Sequence, residues 1–216
     1  MNSKVMFSSK TDMWATPQGF FDELDKEFHF ELDVCAVPEN AKCRRFYTKE
    51  QDGLAQPWTG RVVEILEPMG YFEIPASMTY HGAWPGGLFE HSWAVTKQLV
   101  CLTDKLGLKW QMRRSPVLVG MLHDLCKTEE YEKCGGGWKH HKLKGHGERS
   151  AALAEAILND TGALSLTEEK RLCIRWHMGA FDDKENWNCY GAAIEEYQNV
   201  LWTHTADMVA SRVLGV

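Results

Sequence analysis

Nine histidines stand at positions 29, 81, 91, 123, 140, 141, 146, 177 and 204 of this 216-residue chain. His123 is followed directly by Asp124 inside an apolar run, VLVGMLHDLCK. A carboxylate in such a run is costly to bury unless it is paired or bound to a metal. For one histidine alone, an ordinary buried ring with a hydrogen-bond partner is the simpler reading. The rest of the pattern favours the metal. His91 follows a glycine pair in GGLFEHS, His146 lies in GHGERS, His177 in RWHMG and Asp207 in HTADM. Four histidines and two aspartates suit two divalent cations of borderline hardness, with Asp124 placed to bridge them. Two ions would acidify a water and hold phosphoryl oxygens through an in-line displacement. Mn, Zn, Mg, Fe and Ni all stay open as the metal.

These residues need elements to carry them. Val62–Met69 reads as a short helix and Ser77–Leu88 as a glycine-rich loop. Phe89–Leu106 has helical spacing, with Val95, Leu99 and Leu102 on one face. Ser115-Pro116 opens a helix that carries His123-Asp124, and Lys127–Lys144 reads as a polar loop. A helix runs from His146 to Leu158. Another starts at a Ser165/Glu168 capping box and runs through Met178, and a long closing helix spans Ala192 to about Val213. Separations of 32, 31 and 30 residues between His91 and His123, His146 and His177, and His177 and Asp207 each allow one helix and its connection. The candidate ligands therefore fall on different helices of an all-α bundle.

Upstream, Thr16-Pro17 opens a helix with Phe20, Phe21, Leu24 and Phe28 at helical spacing, and Phe30–Val34 alternates like a strand. The breakers Gly53, Pro57 and Gly60 place a boundary that divides the chain into 1–60 and 61–216.

Composition limits the choices further. The net charge of −6 argues against a protein that coats duplex DNA through a broad basic face. No stretch approaches a membrane span, and MNSKVMFSSKTD has no apolar core of a secretory signal. Seven cysteines without a C-x-x-C pair, in a chain that begins with no secretory signal, read as reduced thiols of a cytoplasmic protein.

The order His91, His123-Asp124, His146, His177, Asp207, carried by HGAWPGGLFEHS, GMLHDLCK, GHGERS, RWHMG and HTADM, resembles the HD superfamily of metal-dependent phosphohydrolases, in the subset that builds a two-metal site. Similar strings occur in HD proteins of bacteria and phages and in bacterial HD-domain exoribonucleases. The resemblance covers roughly 61–216. It implies a helical bundle, a phosphoester reaction, and His91, His123, Asp124, His146, His177 and Asp207 as ligands. Lys127 matches the lysine of the family's HDxxK form, and at i+3 on a helix it would project beside Asp124 toward a phosphate. His81 is placed to contact a phosphate or donate to a leaving group, and Arg175 to face the substrate. Lys142 and Lys144, in the basic stretch KHHKLK, would receive a polyanion. Trp84 and Trp138 are candidates to stack a base. His204 is either a partner to the ligands or a packed, satisfied ring.

Residues 8–60, with WATP and LDVCA, are similar to the start of phage DNA N6-adenine methyltransferases, where Asp33 would lie near the methyl donor. That family then needs a [DNS]PP[YF] motif. The prolines here stand at 17, 38, 57, 68, 75, 85 and 116, so no two are adjacent. Methyl transfer by this chain alone is disfavoured, and the segment reads as a remnant or docking element. The expected protein is thus an all-α HD bundle behind a small α/β methyltransferase-like fragment, acting on a nucleotide or a single-stranded nucleic-acid 3′ end. A non-catalytic nucleotide-sensing module and a DNA-modification protein are the alternatives.

Overall fold

The computed structural model describes residues 17–28, 32–33, 36–46, 48, 57–161, 166–182 and 184–216. The chain divides into two compact units, Met1–Gly60 and Arg61–Val216.

In the first unit, helix α1 (Gln18–Phe28) follows Pro17, and Gln18 joins Asp22 (2.6 Å) and Lys42 (2.9 Å) through its amide. Strands β1 (Leu32–Asp33) and β2 (Arg45–Phe46) pair in parallel. Between them Asn40 Oδ1 accepts the Val37 N–H at 2.8 Å and closes the turn, and Asp33 accepts the Lys42 N–H at 3.2 Å. Thr16, most of the expected 30–34 strand, including Val34, and Gly53 lie outside the described residues.

The second unit is helical: α2 (Pro57–Leu66), which runs across the boundary, α3 (Gly87–Leu106), α4 (Ser115–Leu122), α5 (His146–Thr161), α6 (Glu168–Arg175), α7 (Trp187–Glu196) and α8 (Asn199–Met208). Helix α3 packs on α4 and α8, α5 on α6, and α6 on α8, around Leu88, Leu99, Leu122, Leu158, Ile174 and Val200, all essentially dry. Two glycines set the spacing that matters. A Cβ on Gly120 would overlap Thr96 of α3, and one on Gly147 would overlap the Arg175 carbonyl of α6. These close approaches bring His123 against α3 and His146 against the end of α6.

Four expectations change. The apolar run does not carry His123-Asp124 inside a helix: α4 ends at Leu122, His123 caps it, and Asp124 leads into a tight 3-10 turn, Leu125–Glu129. The run is apolar on every side, the exposed Val117 included, so periodicity has no polar face with which to mark the helix end. The expected loop 127–144 contains an antiparallel hairpin, β3 (Tyr131–Cys134) and β4 (Gly137–His140). Its two-residue turn is Gly135-Gly136, both with positive φ (54° and 88°), the conformation a primed turn requires. The expected single helix 192–213 is broken at Tyr197, which is extended. Beyond the break the buried Asn199 amide donates to Lys109 O (2.7 Å) and Glu169 (2.8 Å), a tertiary network that local propensity does not encode. Finally, α6 stops at Arg175 and is capped by Thr167, while the proposed cap Ser165 lies outside the described residues.

Candidate metal centre

The six expected ligands come from five places in the fold. His91 is in the first turns of α3, His123-Asp124 at the end of α4, His146 at the start of α5, His177 just after α6, and Asp207 near the end of α8. They converge. His91 Nε2 lies 3.2 Å from Asp207 Oδ1 and 3.2 Å from His123 Nε2. His146 Nε2 and His177 Nε2 lie 2.7 and 3.2 Å from Asp124 Oδ1. His91, His123 and His177 are fully buried, and Asp124 nearly so.

The hydrogen bonds define which nitrogens face the centre. A main-chain oxygen only accepts, so a ring nitrogen that meets one carries the proton. His123 Nδ1 meets Gly120 O at 2.8 Å, His177 Nδ1 meets Ile174 O at 2.7 Å, and His91 Nδ1 meets Val216 O at 2.8 Å. All three rings therefore turn a bare Nε2 lone pair inward. His177 Nε2 is buried with no hydrogen-bond partner despite its closeness to Asp124. Converging lone pairs and carboxylates in a dry site are the donor set of divalent cations, and an orphaned buried nitrogen is what such an ion would satisfy. The residues fit the group.

Electrostatics agree. Burial pushes the His123 imidazole down to about 3, so it is neutral at pH 7. Burial works against ionisation of Asp124, yet the Lys127 ammonium and the bond from His146 hold its carboxyl well below the usual range. His146 differs. Burial opposes its charge, but bonds to Asp124, Cys126 and Glu130 overcome this and raise its pKa well above 6.5.

Cys126 and Glu130 are residues that the sequence reading did not single out. Cys126 Sγ lies 2.9 Å and Glu130 Oε1 3.8 Å from His146 Nδ1. The Arg149 guanidinium donates to Glu130 Oε1 (2.7 Å) and to Cys126 O (3.2 Å), so positive charge is already present there. The pair orients His146. The only sequence signal was a thiol two residues after Asp124, and a search for C-x-x-C spacing passes over it.

A cavity of about 400 Å³ opens onto the centre. Asp124, Lys127, His146 and Asp207 line it on one side, and Tyr80, His81, Tyr131, His140, Phe181 and Arg212 supply other parts of its wall. Lys127 Nζ sits 2.8 Å from Asp124 Oδ2 and donates to Ala76 O at 2.6 Å. Burial works against its charge, but Asp124 raises its pKa, so it stays an ammonium. His81 lies beside His91, the two rings tilted by 42° with centres 4.6 Å apart, and burial with the nearby Lys127 charge lowers it to about 4.

Several expected contacts are not brought to this cavity. Arg175 is held by Glu148 (2.8 Å) and Asp182 (2.6 Å) over the Trp176 ring and lines a separate shallow depression. Lys142 and Lys144 are exposed and do not line the cavity, because the hairpin's strands present His140 and Tyr131 to it instead. Trp84 is bonded to Glu90 (2.9 Å) and Trp138 packs in the hairpin under Lys133, neither on the cavity wall. The His204 ring does not enter the centre: its Nδ1–H donates to the main-chain oxygen of the candidate ligand His177 at 2.7 Å, and the ring fills the space beside Gly179. The described cysteines are free thiols. Among the described residues no helix is long and apolar enough to cross a membrane.

A helical bundle that turns four histidines and two aspartates onto one dry point defines a metal-centre protein. Residues 88–203, more than half of the chain, match the family model of the HD domain, and the chain belongs to that family. The matched stretch contains every candidate ligand except Asp207. Residues 3–74 match the model of DNA N-6-adenine-methyltransferase (Dam), extending past the Gly60 at which the sequence resemblance was expected to stop. A DNA N-6-adenine-methyltransferase of Haemophilus phage HP1 is 42% identical over 62 residues, covering 28% of this chain and 36% of the relative. A dihydroneopterin 2′,3′-cyclic phosphate phosphodiesterase of Methanocaldococcus jannaschii is 32% identical over 92 residues, 41% of this chain and 37% of the relative. The matches span between 36% and 60% of the curated relatives' lengths. No solved structure matches significantly.

Proposed function

We propose that this protein is a metal-dependent phosphohydrolase that cleaves a phosphoester of a nucleotide or a nucleic-acid 3′ end, at a centre for two divalent ions. One observation carries the reading. The two oxygens of Asp124 face different partners: Oδ1 faces His146 (2.7 Å) and His177 (3.2 Å), while Oδ2 faces His91 and His123, each at 3.6 Å. His91, His123 and Asp207 with Asp124 would hold one ion, and His146 and His177 with Asp124 the other. Ions held there supply an acidified water and neutralise phosphoryl oxygens. A relative named for cleaving a cyclic phosphate supports the reaction class.

The chain's own groups have separable tasks. Lys127 keeps its charge beside Asp124 and offers it to a phosphoryl oxygen, where charge develops. His81, neutral, hydrogen-bonds the substrate from the facing loop and does not deliver a proton as imidazolium. Tyr80, Tyr131 and Phe181 give the cavity flat apolar walls suited to a base. Residues 1–60 act as a docking element or remnant and not as a methyltransferase, because the chain has no adjacent prolines.

The test is a hydrolysis screen of the full chain across Mn²⁺, Zn²⁺, Mg²⁺, Fe²⁺ and Ni²⁺ against nucleotides, cyclic dinucleotides and short single strands. Metal-dependent release of phosphate or a nucleotide is the expected result. No turnover with tight nucleotide binding would replace the enzyme by a sensing module.

A further inference from the structure

The buried rings of the centre are not oriented in the same way. His123 and His177 each donate Nδ1–H to the carbonyl three residues back, Gly120 and Ile174. Those bonds are local, so the helix end that carries the ring also turns it. His91 lies inside α3, where the helix already uses the preceding carbonyls. Its Nδ1–H goes instead to Val216 O, 2.8 Å away and 125 residues along the chain.

A special turn delivers that oxygen. Asp207 touches one side of the His91 ring, with Oδ1 3.2 Å from Nε2. Had α8 continued as an α-helix, Val216 would lie about 13 Å further along the axis. The chain instead widens into a π-helical turn, Val209–Leu214, and reverses at Gly215 (φ 73°, ψ 19°), and Val216 N–H returns to Ala210 O at 3.2 Å. Wide turns of this kind are rare and concentrate at functional sites. Here the turn folds the main chain back onto the far side of the same ring.

We propose that the 209–216 turn is the positioning element of His91. The main-chain oxygen of Val216 fixes the Nδ1–H tautomer and so presents the Nε2 lone pair to a divalent ion. The inference rests on reading His91 as a metal ligand. It makes the His91/His123 half of the centre depend on a segment that contributes no ligand of its own, while the His146/His177 half does not depend on it.

The experiment is Mn²⁺ titration of the full chain by calorimetry, with ¹⁵N shifts of the His91 ring and melting in chelator. Gly215→Val puts a β-branched residue at positive φ and displaces the Val216 oxygen. Gly215→Ala perturbs the turn more gently should the first variant melt early. Val216→Ala keeps the main-chain oxygen and removes only the side chain that packs on the core. Expected are a 10–100-fold loss of Mn²⁺ affinity at one ion in the Gly215 variants, a mixed His91 tautomer, and parent-like binding in Val216→Ala. Equal binding and an unchanged tautomer in the Gly215 variants would overturn the inference. So would an equal loss in Val216→Ala, since packing and not the main-chain oxygen would then be responsible. A parent that binds no Mn²⁺ overturns the metal-centre reading itself, and this inference with it.

Discussion

The Nε2 atoms of His91 and His123 face each other at 3.2 Å, and the other nitrogen of each ring is bonded to a main-chain oxygen. Two lone pairs at that distance in a dry site repel unless a cation stands with them. The neighbouring carboxylates of Asp124 and Asp207 add to the same demand.

Metal should therefore stabilise the fold. At a free Mn²⁺ concentration 100-fold above Kd the gain is about 2.7 kcal/mol. For a chain of this length that is a rise in Tm of about 5–10 °C. Loading also displaces the proton that Asp124, Cys126 and Glu130 keep on His146 at pH 7. Because that pKa is raised above 6.5, the metal competes with the proton across neutral pH. Apparent affinity falls as pH falls, by about tenfold per unit for one proton. Calorimetry in buffers of different ionisation enthalpy counts the proton, and a count of zero would contradict the assignment.

Asp124→Ala should abolish hydrolysis, by more than about 10³-fold, since both half-sites lose a ligand. Its Tm in chelator should fall as well, because the buried Lys127 ammonium and His146 lose the carboxylate that holds them, so hydrolysis is compared at a temperature at which both proteins are folded. Lys127→Ala should cost about 10²-fold in kcat with Mn²⁺ binding retained. Parent-rate hydrolysis by Asp124→Ala in saturating metal would end the mechanism.

Gly147→Ala should destabilise by about 1–3 kcal/mol, because its methyl meets the Arg175 carbonyl and forces α5 from α6. It should also weaken metal binding, since His146 and His177 separate with the helices. Gly191→Ala, in the exposed middle of α7 with open space around it, should instead stabilise by about 0.5–1 kcal/mol. Denaturant melts of the pair separate close packing from helix propensity.

Arg212 lines the cavity beside Phe181, whereas Arg175 is bound to Glu148 and Asp182 elsewhere. Arg212→Ala should raise KM about tenfold with little change in Tm. Arg175→Ala should lower Tm by a few degrees and leave KM within about twofold. The reverse pattern in steady-state kinetics and melting would restore Arg175 as the substrate contact.

Residues 61–216 expressed alone should fold and bind Mn²⁺ as the full chain does, since every candidate ligand lies there. An insoluble or metal-free product would make residues 1–60 structural.

The sequence by itself determined the helical class and the identity of the converging groups. Helix α3 is legible because Val95, Leu99 and Leu102 repeat at helical spacing, and α4 because Ser115-Pro116 opens it. His91, His123, Asp124, His146, His177 and Asp207 were legible because metal-binding residue types in apolar or glycine-flanked settings are costly without a purpose. Tertiary structure alone decided the rest. Which nitrogen of His91 faces the centre depends on Val216, a contact 125 residues distant that no local pattern records. Arg175 and Lys127 are both cations close in sequence to a candidate ligand, yet Arg175 turns to Glu148 and Asp182, and Lys127 turns to Asp124. Sequence spacing fixes how far a side chain is from a ligand along the chain. Only packing fixes the direction in which it points, because direction is set by whichever distant partner satisfies its charge.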